Sequence, residues 1–263
     1  MTYKFNGPSA SGTGLYFQSG NEDLPMDKLQ SFWPCRGIGT GTSPDLIGNA
    51  PLSATGTPFW EPSNPCGGSL GAADYAAAAT TFLGTTGDAT EWSPIDRNKK
   101  WWLSFWFYPR TGVTPIADAI INTSIWGGNG FFVSTGIVNS APGTMEFVCG
   151  NGSGGWLTGC DAGSWNAGAW NFAVVGHDGG SGSGTSFASL NGAAVVTQSS
   201  QTLTSGGSAY PLMIGGGGIF AVSQTLDGMI ADVGLWVDVS ANATSDEIAA
   251  LYNGGNGNTL IGG

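Results

Sequence analysis

The chain reads as an all-β protein: a sandwich of two antiparallel sheets, with one short helix near the C-terminus. Three observations predict this. Residues 101–108, Trp-Trp-Leu-Ser-Phe-Trp-Phe-Tyr, are mostly aromatic and end at Pro109. With a period of two they place Trp101, Leu103, Phe105 and Phe107 on one face and Trp102, Ser104, Trp106 and Tyr108 on the other. Glycine supplies 46 of 263 residues, well above the roughly 7% of an average protein. Each would cost about 1 kcal/mol inside a helix. Further strand-like runs recur every ~8–12 residues between Gly/Asn turns, the spacing of a sandwich.

Taken in order, strands are expected over 120–126, 130–134, 144–149, 170–175, 186–190, 194–198, 211–214 and 227–236. Residues 72–80 have the alanine content of a helix, but their glycine-rich flank favours a strand. The Gly179–Gly184 and Gly215–Gly218 stretches read as turns. The one helix is signalled by Thr244 and Glu247, a capping box in which each side chain satisfies an orphan backbone amide. Ile248, Leu251 and Tyr252 then form one apolar face, and Asn253-Gly254-Gly255 supplies a left-handed stop. No fixed-period repeat or linker divides the chain. The domain expectation is therefore an N-terminal extension or docking arm over 1–30, followed by a sandwich over 31–263. The first residues, Met1 to Asn6, have no apolar core of a secretory signal. The apolar runs fall well short of the roughly 20 residues that span a bilayer.

Charge excludes several partners. Charged residues are 10% of the chain and the net charge is −11. All seven basic residues (Lys4, Lys28, Arg36, Arg97, Lys99, Lys100, Arg110) lie within the first 110 positions, whereas 111–263 carry nine acids and no Lys or Arg. Phosphate binding requires cationic neutralisation, so nucleic acid is a poor partner. Anionic membranes and sialylated or sulfated glycans are disfavoured for the same reason. Four cysteines, Cys35, Cys66, Cys149 and Cys160, allow three pairings. Cys149 and Cys160 flank the Gly150–Gly155 loop and are placed either to close a covalent hairpin or to stay as buried thiols. No C-x-x-C spacing exists and His177 is the only histidine, so a zinc site lacks its ligands.

The order of the pieces resembles a known family. Leu226-Asp227-Gly228-Met229-Ile230-Ala231-Asp232-Val233-Gly234-Leu235-Trp236, a polar turn, then Ser245 to Gly255 are similar to the closing strand and helix of LamG-type concanavalin A-like lectin/glucanase domains. Residues Trp101–Pro109, Trp170–Gly179, Ala188–Gly192 and Pro211–Gly215 resemble four earlier strands of that family. Phe32-Trp33-Pro34-Cys35 and Gly68–Tyr75 resemble its opening segments. The likeness covers about 28–263 and implies a jelly-roll. It departs at Gly234, where the family has a basic residue, and at Gly176-His177-Asp178-Gly179, where the family has R-D-G. Such folds host many functions, so the site has to be argued separately.

Enzyme chemistry finds little support in the sequence. Related glucanases carry an E-x-D-x-E strand, because retaining cleavage needs two carboxylates about 5–5.5 Å apart; this chain has none. Its nearest acid clusters, Glu22/Asp23, Glu91 with Asp96, and Asp246/Glu247, do not read as same-face strand pairs. Gly67-Gly68-Ser69-Leu70-Gly71 matches G-x-S-x-G, but the turn-rich surroundings and the single histidine do not fit a nucleophile elbow. No cofactor is expected. Calcium is the one metal that the resemblance admits, through Asp45 with Asn49, or Asp74, in loops offering hard oxygen ligands. Neutral-sugar binding would use aromatic platforms beside amides, for which Trp126, Trp156, and Trp165 with Asn166 are the candidates.

The resulting reading is a non-catalytic surface structural or adhesion protein of a larger particle. It points to a virion component, such as a phage capsid decoration or tail-associated protein, that forms homo-oligomers, contacts other particle subunits and takes neutral cell-surface glycans. The alternatives are a stand-alone carbohydrate-binding lectin module, extracellular or on the cell surface, and a glycan hydrolase.

Overall fold

The computed structural model describes residues 24–35, 41–48, 50–61, 71–75, 82–85, 99–110, 119–123, 130–136, 141–150, 155, 157–179, 184–201, 211–216, 225–239 and 242–257. Sixteen strands, one α-helix and two single-turn 3-10 helices lie among them. One sheet runs in the order β14 (Val196–Gln201), β13 (Gly184–Leu190), β12 (Asn171–His177), β7 (Trp101–Pro109), β16 (Gly228–Val237), β5 (Ala72–Tyr75) and β4 (Phe59–Glu61), with β1 (Leu29–Trp33) also paired to β16. The other runs β11 (Cys160–Ser164), β10 (Thr144–Cys149), β9 (Phe131–Ser134), β8 (Ala119–Asn122), β15 (Met213–Ile214), β6 (Phe82–Thr85), β3 (Leu52–Thr55) and β2 (Thr42–Ser43). Neighbouring strands are antiparallel throughout, as expected for a sandwich.

The alternation in β7 decides the layering. Trp101, Leu103, Phe105 and Phe107 are buried between the sheets with Phe131, Val133, Met145 and Phe147 of the facing layer. Trp102 and Trp106 point the other way, yet they are buried too. They belong to a second apolar layer on the outside of the first sheet, shared with Leu29 and Phe32 of β1 and covered by Leu24 and by Ile248 and Leu251 of α1 (Ser245–Tyr252). Tyr252 lies over both Trp106 and Phe172, its ring centroid 6.0 Å from each. Rings this large dominate core energetics, and truncating one to alanine typically costs about 3–5 kcal/mol. The helix forms where its capping box predicted it: Thr244 Oγ1 accepts the Glu247 amide at 3.2 Å, and Glu247 Oε2 accepts the Thr244 amide at 2.6 Å. It stops at Asn253, whose φ of 45° is left-handed.

Strand β16 carries a bulge at Asp232 (φ 51°), where its register against β7 shifts. Before the bulge its free edge pairs with β5; after it, with β1. One strand thereby holds both β5 and β1 along a single edge, a usual service of bulges, which bend and re-aim a strand. The departure from the family at Gly234 has a packing reason. A Cβ there would sit 2.5 Å from the Trp236 ring, which folds back over the glycine and stacks on Trp102 at 3.9 Å.

Several boundaries differ from the sequence reading. The strand expected over 194–198 starts later, at Val196, because Asn191 and Gly192, both at positive φ, make the hairpin turn and the Ala193 amide bonds to the Leu190 carbonyl. The expected 211–214 strand shrinks to Met213–Ile214, and the 170–175 strand begins one residue later and runs on to His177. Of 72–80, Ala72–Tyr75 is a strand and the remainder lies outside the described residues. No covalent hairpin joins Cys149 to Cys160: both are free and buried, as is Cys35. Burial pushes the Cys149 thiol far up, so it packs as a small apolar group. Cys66 lies outside the described residues.

His177, the last residue of β12, is fully enclosed, its imidazole lying over Gly184 of β13 and reaching to β14. Its Nδ1 accepts the Gly179 amide at 2.9 Å, so Nε2 carries the proton and donates to the Gln201 carbonyl at 3.0 Å. Burial lowers its pKa, against the opposing pull of the Gln201 carbonyl and the Asp178 charge. The unfolded chain, with an ordinary histidine near 6.5, therefore binds this proton more readily than the folded one. Stability from His177 is complete above about pH 6.5 and is lost as pH falls through the lower folded value. Urea midpoints measured between pH 7.5 and 5 are expected to fall in the native protein and to fall less in His177→Gln; parallel curves would contradict this. In Thr244→Ala, loss of the cap is expected to cost about 1 kcal/mol by the same measurement.

Candidate functional site

The residues singled out in the sequence do not converge. Trp126 and Trp156 lie outside the described residues. Trp165 follows β11 and is half-buried against the inner core, its indole N–H donated to the Thr135 carbonyl at 3.2 Å. Asn166 is exposed, and its backbone is clamped by Asn171, which accepts the Asn166 amide at 2.8 Å and donates back to its carbonyl at 2.9 Å. These contacts tie down the corner between β11 and β12.

The calcium candidates face the wrong kind of partner. Asp45 Oδ1 accepts the amides of Phe32, Ile47 and Gly48 at 3.0, 3.1 and 2.9 Å, and Oδ2 that of Ala50 at 3.4 Å. A carboxylate ringed by N–H groups is held as an anion by its own backbone, and its lone pairs are already engaged. Asn49 lies outside the described residues. Asp74 is on β5 rather than in a loop, and its carboxylate is bonded to Arg110. Neither aspartate fits a calcium ion. Among the described residues no group of three or more His, Cys, Asp or Glu side chains is placed to hold a metal.

The structure does assemble a surface that sequence reasoning missed. Residues paired directly across a sheet point to the same face. Phe59 pairs with Asp74, Asp74 with Met229, and Met229 with Tyr108. Four side chains therefore line up across β4, β5, β16 and β7, over roughly 14 Å at ~4.8 Å per strand. Trp170, just before β12, extends the row, its ring 5.6 Å from that of Tyr108 at 68°. Met229 and Trp170 are half-buried at the margin of the outer apolar layer, beyond the reach of α1. At the far end Phe59 is 66% exposed.

Arg110 anchors this row. Pro109 ends β7, and the Arg110 amide then bonds to the Asp227 carbonyl at 3.0 Å, turning its side chain toward β5. The guanidinium bonds to Asp74 Oδ1, to Asp227 Oδ1 at 2.7 Å and to the Tyr75 carbonyl at 2.9 Å. Burial alone would lower its pKa; the bonds to Asp74 and Asp227 outweigh that and raise it, so the charge is permanent. The partners lie 36 and 117 positions away in sequence. The available signal was that Arg110 is the last basic residue of the chain and directly follows the strongest strand.

A second feature went unread. Glu146 on β10 pairs across the sheet with Asp161 on β11, so two carboxylates share one face of the second sheet. Glu146 is buried and Asp161 exposed, its Oδ1 accepting the Gly163 amide at 2.9 Å. The sequence search looked for acids close together along the chain, and these are joined only by strand pairing.

The family model for the concanavalin A-like lectin/glucanases superfamily, of laminin G type, matches residues 83–249, and the chain belongs to that superfamily. Among solved structures, domain 4 of AbnA, an extracellular arabinanase of Geobacillus stearothermophilus in complex with arabinotriose, is 14% identical, with a TM-score of 0.58 over 84% of this chain and 96% of that one. The botulinum neurotoxin serotype C1 binding domain is 15% identical, with a TM-score of 0.58 over 86% of this chain and 52% of that one. A Trypanosoma rangeli sialidase in complex with 2,3-difluorosialic acid is 10% identical, with a TM-score of 0.56 over 89% and 34%. The chain thus spans about half of the neurotoxin domain's length, and what these structures share with it is the fold. No curated protein matches the sequence.

Arg110→Met is expected to destabilise the fold by about 1–3 kcal/mol, since it strands the largely buried Asp74 carboxylate. For Asp45→Ala the loss of four amide contacts predicts a drop of at least about 2 kcal/mol, whereas calcium or a chelator should leave the native melting temperature unmoved. A calcium-dependent rise in that temperature would overturn the backbone-anchor role of Asp45.

Proposed function

We propose that this chain is a non-catalytic glycan-binding domain displayed on an extracellular surface, with the Phe59–Trp170 row as its contact face. The observation that carries this reading is the row itself: three aromatic rings, at least partly open to solvent, next to an ordered cluster of hydrogen-bonding groups. Binding sites commonly combine flat apolar surface with a few well-placed polar groups. The solved relatives include a domain of an arabinanase seen with arabinotriose and the binding domain of a neurotoxin, which supports the reading at the level of fold. Trp126 and Trp156 are part of the proposal on sequence grounds, as rings bordering glycine-rich loops.

The finer part of the proposal is location. A chain without Lys or Arg over 111–263 offers no trypsin-type cleavage site there, which suits display on a particle such as a virion. The part of the 1–30 arm before Leu24 would then dock the domain on neighbouring subunits, since Leu24 and Leu29 are buried within the domain itself, and the domain would act as a homo-oligomer. Removing residues 1–23 should release the protein from its particle and leave its melting temperature unchanged; continued incorporation overturns the docking role.

Glycan binding is tested on an array, followed by titration of the best ligand. Phe59→Ala should weaken binding about tenfold, as truncating a hot-spot ring does, while changing stability by less than about 0.5 kcal/mol because the ring is exposed. Undiminished binding in Phe59→Ala and Trp170→Ala would remove the row as the site. One observation favours a second reading, glycoside hydrolysis: strand pairing sets Glu146 and Asp161 opposite each other on one face, and retaining enzymes use two neighbouring carboxylates. Release of reducing ends from an oligosaccharide, abolished in Glu146→Gln, would establish it in place of the non-catalytic reading.

A further inference from the structure

We infer that the ligand of the Phe59–Trp170 row is an uncharged sugar that presents a pair of adjacent hydroxyls to Arg110 and Asp227 and an apolar ring face to the aromatic side chains. This rests on the glycan-binding reading and narrows it to a substrate class. One guanidinium faces two carboxylates, so the cluster is formally negative by one unit. Arg110 is already bonded to both, and no Lys or Arg follows it in the chain. A sialylated or sulfated sugar reaching the remaining N–H groups of Arg110 would bring its anion up against Asp74 and Asp227, whose two charges already outweigh the guanidinium.

The same cluster matches a neutral diol. Side-chain exposure is 36% for Arg110 and 30% for Asp227, against 12% for Asp74, so the first two are the groups a ligand can reach. Asp227 uses Oδ1 for Arg110, and each carboxylate has about four acceptor positions. Arg110 has five N–H donors, three of them in the contacts described above. A reachable acceptor and a reachable donor side by side suit two neighbouring hydroxyls, one donating to Asp227 and the other accepting from Arg110. The geometry is fixed before binding, because the Tyr75 carbonyl and Asp74 hold the guanidinium in place, so little side-chain ordering opposes association. Tyr108 and Met229 lie on the same face and give the ring of the sugar an apolar floor.

The test compares matched probes on the full-length protein: linear neutral oligosaccharides and the same backbones carrying sialic acid or sulfate. Neutral probes should bind at least tenfold more tightly at 20 mM salt, and the gap should narrow at 500 mM salt, where the Debye length falls below about 5 Å. In Asp227→Asn, neutral binding should weaken about tenfold and the preference over acidic probes should shrink to less than threefold. If that variant does not fold, the salt series on the native protein decides. Equal or tighter binding of acidic probes at low salt would overturn the inference and leave glycan binding standing. Absence of binding to every probe would instead overturn the glycan-binding reading, and this inference with it.

Discussion

Strand β7 is buried on both faces, and nearly everything else in the molecule is arranged to make that possible. On one side Trp101, Leu103, Phe105 and Phe107 require a second sheet; on the other Trp102 and Trp106 require a further covering layer. An antiparallel sheet normally leaves one face to solvent. Here α1 and the segment around Leu24 that leads into β1 close over it, so the domain has three layers along its central strands. The cover is incomplete. Where α1 ends, the outer face passes from buried indoles to the half-exposed Tyr108, Met229 and Trp170 and on to Phe59. The candidate site is therefore the margin of a core layer, which explains why its aromatic residues resemble core residues in sequence.

Local signals were legible from the residues alone. The two faces of 101–108, the Thr144–Cys149 strand, the Thr244–Glu247 cap and the Asn253 stop each depend on neighbours within a few positions, and each is found in the structure. The poorly legible elements are those set by long-range pairing. β2, β3 and β4 are short strands of two to four residues without strong alternation. The Asp232 bulge follows from the need of one strand to serve two partners, a demand invisible in its own residues. The Arg110 cluster and the Glu146–Asp161 pair depend wholly on register, since strand pairing brings together groups that the chain keeps far apart. Sequence reasoning searched for site residues in glycine-rich loops, whereas the residues that converge lie on strands and at a strand end.

Departures from the family pattern have local causes of the same kind. At position 234 a basic side chain is excluded by the folded-back Trp236 indole, and at 177 an imidazole fills a closed space between β12 and β14 where a guanidinium would not be solvated. Loss of positive charge in the second half of the chain is thus accompanied by aromatic packing, and the surface it leaves is acidic and rich in hydroxyl and amide groups. That surface disfavours polyanions and leaves hydrogen bonding and ring stacking as the means of recognition.

The split edge of β16 also bears on how the molecule is made. Val233 lies beside Trp33, 200 positions earlier, and Ile230 beside Ala73, 157 positions earlier, so the strand that completes the first sheet leaves the ribosome long after the segments it joins. Until then β1, β5 and β7 have no shared neighbour, and the indoles of β7 remain open to water. Closure of this sheet is a late event that brings distant parts of the chain together in one step, and topologies of this kind fold slowly. The chain's net charge of −11 keeps copies apart at that stage, whatever it later does toward a ligand.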